Sequence, residues 1–63
     1  MLFEGMIVYC IDNEHPLYGR RLKVEMMFDD EVCLFTDLRT GETVQMMNKQ
    51  IGQEPPQQQS TTG

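Results

Sequence analysis

The chain is short of the side chains that most catalytic and metal centres are built from. It has one histidine, His15, and two cysteines, Cys10 and Cys33, in 63 residues. Their spacing is neither a CxxC redox pair nor a zinc pattern, and a tetrahedral site would still lack a soft ligand after His15 is added. No P-loop, GxSxG elbow or dinucleotide fingerprint is present. Asp29, Asp30 and Glu31 cluster in sequence but have no glycine bend and no calcium-loop alternation. A Cys–His pair is chemically conceivable, yet both cysteines stand in apolar runs, where burial raises the thiol pKa and makes the sulfur inert. His15 precedes Pro16 and reads as part of an extended loop. The expectation is a non-enzyme with no metal and no cofactor.

Positive charge is scarce as well. Five basic residues face ten acidic ones, for a net charge of -5. Phosphate neutralisation drives general nucleic-acid binding, so an acidic chain starts at a disadvantage there. A protein partner, or a second copy of the chain, is the better expectation. The remaining use of acidity, mimicry of a nucleic acid, is the least favoured reading. No run approaches the ~20 apolar residues of a membrane span. The opening "MLFEGMIVYCID" has no basic start and no small-residue cleavage site, so the expectation is a soluble, cytoplasmic protein without membrane contact.

What the chain does have is alternation. "GMIVYCI" (5–11) is apolar on both alternating sets, which suits an inner strand or one covered on its outer face. "RRLKVEMM" sets Leu22, Val24 and Met26 against Arg21, Lys23 and Glu25, the pattern of a half-buried strand. Asp29 and Asp30 make a turn before "EVCLFTD", a third strand. Gly41 supplies the positive φ of a tight hairpin, and "ETVQMM" follows as a fourth strand. "NKQI" is either a short 3₁₀ turn or a fifth strand. A helix over "TVQMMNKQIGQ" is the weaker alternative, because Thr43, Val44 and Gly41 favour a strand.

Four or five short antiparallel strands in about 50 residues imply an all-β fold, a small barrel or a strongly bent meander. That gives a domain over 1–51. Residues 52–63, "GQEPPQQQSTTG", carry nothing for a core and read as a disordered Pro/Gln-rich tail. A core this small yields only a few kcal/mol. Cys10 and Cys33 are expected to be buried and reduced, with a cross-strand disulfide as the alternative. Six methionines, among them the doublets Met26–Met27 and Met46–Met47, add adaptable apolar surface. Neighbours on a strand point to opposite faces, so one Met of each doublet should lie outside the core. Self-association or docking on a larger protein would cover such surface.

Glycine at position 5 before an alternating strand resembles the SH3-like small barrel of KOW type. So do the polar loop "DNEHPLYG" ending at Gly19, the basic strand "RRLKV" and the two hairpins after it. "HPLYGRRLKV" also resembles the loop-plus-strand of small proteins encoded beside transposases and other mobile-element genes, so a bacterial, phage or mobile-element type is the expectation. The resemblance implies binding of RNA, DNA or protein through the first loop and the adjoining strand face. By position it points to His15, Tyr18, Arg20, Arg21 and Lys23 as partner-binding residues. Two readings follow: a small non-enzymatic adaptor or regulatory module, or a KOW-like nucleic-acid binder using residues 15–24. The plainer alternative is that these cations only keep a strand soluble, paired with Glu25 or Glu42.

Overall fold

The computed structural model describes residues 1–56. Alternation produces strands where the sequence places them, with shorter bounds: β1 (Ile7–Cys10), β2 (Arg21–Met27), β3 (Val32–Asp37), β4 (Thr43–Met47) and β5 (Ile51–Gly52). "NKQI" becomes both of its alternatives in succession. Asn48–Gln50 forms a 3₁₀ turn, and Ile51 opens β5. The helical alternative for this segment does not form. From residue 57 on, the expected tail lies outside the described residues.

The strands make one antiparallel sheet in the order β4-β3-β2-β1-β5. The sheet curls into a half-barrel, an arrangement compatible with an SH3-like barrel. β1 is an inner strand, flanked by β2 and β5; its Val8 and Cys10 are buried, while Ile7 on the other face is 43% exposed. The inner face collects Val8, Cys10, Leu22, Val24, Cys33, Phe35, Met46 and Ile51. Full burial of a side chain the size of Leu22 or Phe35 supplies about 1.5–3 kcal/mol of transfer free energy.

One facing differs from the simple alternation. The β2–β3 register runs Val24↔Phe35 and then Met26↔Leu34, so Glu25 is an extra residue in a β-bulge. A bulge places two residues opposite one and shifts the alternation by a step. Met26 therefore lies beside Leu34 on the outer face, 50% exposed, instead of following Val24 into the core. Met27 takes the inner register opposite Cys33 but stays 38% exposed at the sheet's end. In the second doublet the expectation holds, with Met46 buried and Met47 exposed.

Two glycines set the connections. Gly41 (φ +82°) closes the β3–β4 hairpin, where its N–H reaches the Asp37 carbonyl at 2.7 Å. Gly19 (φ +83°) ends the first loop. Its N–H donates to the Cys10 carbonyl while the Cys10 N–H donates to Arg20, so two residues oppose one here too. A glycine is suited to that bulge position because it takes the positive φ without steric cost.

Candidate interaction surface

The first loop is held from within. The Asp12 carboxylate accepts the Glu14 N–H at 3.0 Å, and His15 Nδ1 accepts the Leu17 N–H at 3.0 Å. Gln50 fastens the loop from the far end of the chain. Its Nε2 donates to Asp12 Oδ2 at 2.8 Å, its Oε1 accepts the Met47 N–H at 3.0 Å, and its carbonyl accepts the Ile11 N–H. The Gln50 amide, with the Glu14 N–H, holds the Asp12 carboxyl below its ordinary value. His15 thus has a place in the loop's own bonding.

The cations divide. Arg20 stands two residues before Leu22 and so shares its inner-facing side, at the rim of the half-barrel. There its Nη1 meets Asp37 Oδ2 at 2.6 Å. Asp37 is 2% exposed and sits opposite Leu22. Lys23 pairs with Glu25 at 3.4 Å on the outer face. Thr36 donates its hydroxyl to the same Glu25 carboxylate, and this bond, more than Lys23, holds the Glu25 carboxyl below its ordinary value. Arg21 is exposed opposite Tyr9 and has no ion-pair partner among the described residues. Tyr18 is half-buried. Of the five residues singled out in the sequence, Arg21 and Tyr18 keep their side chains clear of these pairings.

The outer face has two halves. Toward β1 and β2 it carries Tyr9, Arg21, Lys23 and Glu25, with the exposed Ile7 opposite Lys23. Toward β3 and β4 it carries Thr36, Thr43 and Gln45 and, at one corner, apolar side chains: the register aligns Met26 with Leu34 and Val32 with Met47. Met26 and Met47 are about half exposed, at 50% and 46%. A shallow cleft of about 330 Å³ lies at the end of β4, between Met47, Asn48, Lys49 and the Asp30–Glu31 turn. β4 is also an edge of the sheet. The bonds Asp37 N–H to Glu42 carbonyl and Asn48 N–H to Glu31 carbonyl fix which β4 groups turn toward β3. By antiparallel alternation, Val44 and Met46 exchange bonds with β3, while Thr43, Gln45 and Met47 turn theirs outward.

Both cysteines are free and buried. Burial pushes each thiol above its ordinary value, partly offset at Cys10 by its bond to the Asp12 carbonyl and at Cys33 by the Asn48 side chain. A raised pKa withholds the thiolate that nucleophilic or redox chemistry uses. Among the described residues no group of three or more His, Cys, Asp and Glu side chains could hold a metal ion.

Sequence reasoning missed three structural residues. Asp37 carries no mark beyond standing at a strand's end. Gln50 is one polar residue among several, with its partner 38 positions away. Glu25 continues the alternation of β2 so smoothly that nothing announces a bulge. Comparison of the chain with protein-family models, with curated proteins and with solved structures finds no match to any of the three.

Proposed function

We propose that the chain is a small, non-enzymatic module that acts by protein–protein contact through the β3–β4 half of its outer face. The observation that carries this reading is the apolar corner Met26, Val32, Leu34 and Met47, in which both methionines are exposed and Val32 and Leu34 are half-buried. Apolar side chains gathered on one face gain free energy when a partner removes them from water. Methionine adapts its shape to such a contact. The buried thiols and the loop-bound His15 also favour binding over chemistry.

A photo-crosslinking residue at Met26, in the cells that make this protein, tests the reading. The expected result is an adduct with a protein, self or other, that is absent when the crosslinker stands at Glu14. Equal labelling at the two positions would contradict it.

The KOW-like nucleic-acid reading has one observation in its favour, the exposed Arg21 opposite Tyr9, a cation beside a stacking ring. It requires RNA or DNA to shift the amide signals of residues 15–24 at low salt, with binding that weakens steeply as salt rises.

A further inference from the structure

We infer that the free edge of β4 pairs antiparallel with β4 of a second copy of this chain, joining two half-barrels into one continuous sheet. The inference rests on the protein-contact reading above and names a partner and a seam at the border of that face; pairing along the edge leaves Met26, Val32 and Leu34 on the outer surface of the joined sheet.

The two edges of the sheet differ in how they are protected. β5 is two residues long and is followed, after Gln53, by Glu54, Pro55 and Pro56. Short length, charge and proline are the devices that blunt an edge against further pairing. β4 has none of them. It is five residues, "TVQMM", without a charge, a proline or a bulge in its pairing with β3. Its outward N–H of Met47 is occupied by Gln50, while those of Thr43 and Gln45 have no bond within the described residues.

The occupant follows from the strand's own pattern. An antiparallel copy centred on Gln45 sets Gln45 against the second copy's Gln45 and Thr43 against its Met47. Every outward-turned position then meets an outward-turned position: the two Gln45 residues exchange bonds, each Thr43 N–H reaches the other copy's Met47 carbonyl, and Gln50 gives up the Met47 N–H it holds in the single chain to the other copy's Thr43 carbonyl. The same register sets Glu42 opposite the second copy's Asn48, next to its Lys49, so the charge at one end of β4 meets the opposite charge at the other. On the inner face it sets the half-buried Val44 against Met46. On the outer face it extends the row Met26, Leu34, Gln45 into its symmetric copy. A two-fold contact needs a self-complementary patch of this kind. Both chains carry -5, so overall repulsion opposes the pairing and added salt strengthens it by screening.

Sedimentation equilibrium of the full chain over micromolar concentrations tests the inference. The expected result is a concentration-dependent mass rising from 7.3 kDa toward twice that value, with tighter association at higher salt. Gln45→Lys places two like charges face to face at the centre of the seam and is expected to weaken association at least tenfold. Gln53→Lys, which makes the same change of net charge as Gln45→Lys but stands beyond β5 and away from β4, is expected to leave association within twofold. Circular dichroism checks that both variants remain folded. A mass of 7.3 kDa at every concentration, or a dimer indifferent to Gln45→Lys, overturns the inference. A Met26 crosslink to a different protein from a strictly monomeric chain sinks this pairing while leaving the protein-contact reading in place.

Discussion

Arg20 Nη1 stands 2.6 Å from Asp37 Oδ2, joining the start of β2 to the end of β3 at the rim of the half-barrel. The other carboxylate oxygen of Asp37 accepts the Arg39 N–H at 2.8 Å, so the same side chain also shapes the β3–β4 hairpin. The densest positive charge in the sequence is therefore partly structural. Its first arginine completes the fold.

That pairing predicts a large stability effect. Asp37→Ala leaves Arg20, itself 30% exposed, without its carboxylate and the Arg39 N–H without its acceptor, at a cost of about 2 kcal/mol, the scale of a lost hydrogen bond to a charged group. In a domain whose whole stability is of order 5 kcal/mol, urea denaturation should show a markedly lower midpoint. Arg21→Ala, exposed and without an ion-pair partner among the described residues, should change it by less than about 0.5 kcal/mol. Equal effects would contradict the division between the two arginines.

The bulge at Glu25 predicts an inversion between the methionines. Met46→Ala empties a core position and should cost about 2–3 kcal/mol. Met26→Ala should cost under about 0.5 kcal/mol in the monomer, because its side chain already meets water. A simple alternation through β2 would instead make Met26 the costly site. Denaturation measured at low protein concentration separates the two.

The first four strands and their order of appearance are legible in the alternation of residues 5–11, 20–27, 31–37 and 42–47 and in the turn residues between them, whereas "NKQI" leaves a turn and a fifth strand equally open. What alternation cannot carry is a one-residue insertion such as Glu25, because a charged residue at that position satisfies the outer face with or without a bulge. It also cannot show the burial of Asp37. That depends on the β2–β3 register, which sets Asp37 opposite Leu22 and so within reach of Arg20 on the same side of the sheet. The candidate cations were visible in sequence, but which of them are tied to carboxylates depends on the sheet's register. The open edge of β4 follows from sheet order, a non-local property.

The thiols predict inertness. With both pKa values raised by burial, Cys10 and Cys33 should react with a thiol reagent only as fast as the chain opens, far below a free cysteine at neutral pH. A thiol whose folded pKa exceeds its unfolded value stabilises the fold below the unfolded pKa, and that contribution is lost as pH rises above it. Stability should therefore decline on the alkaline side, beyond about pH 9. Rapid labelling of the native protein would contradict the burial of both residues.

The carboxyls predict the acid side. Asp12 and Glu25 are both held below their ordinary values of 3.8 and 4.5. Groups with depressed folded pKa contribute stability that is present above those ordinary values and lost as pH falls through the folded ones. Urea midpoints should drop steadily below about pH 4. Gln50→Ala removes the amide that does most to depress Asp12, so the drop should become shallower in that variant. An unchanged slope would mean that the Gln50 tie to the first loop does not form in solution.

The most direct test of the central claim is a dilution series followed by amide NMR. If this small half-barrel works through its β3–β4 side and pairs along β4, concentration-dependent shifts should gather on residues 42–48, with Met26 and Leu34 beside them. The Thr43 and Gln45 amides should gain protection from exchange as concentration rises, and residues 15–24 should stay still. Shifts confined to residues 15–24, or a spectrum unchanged across the series, would contradict the account.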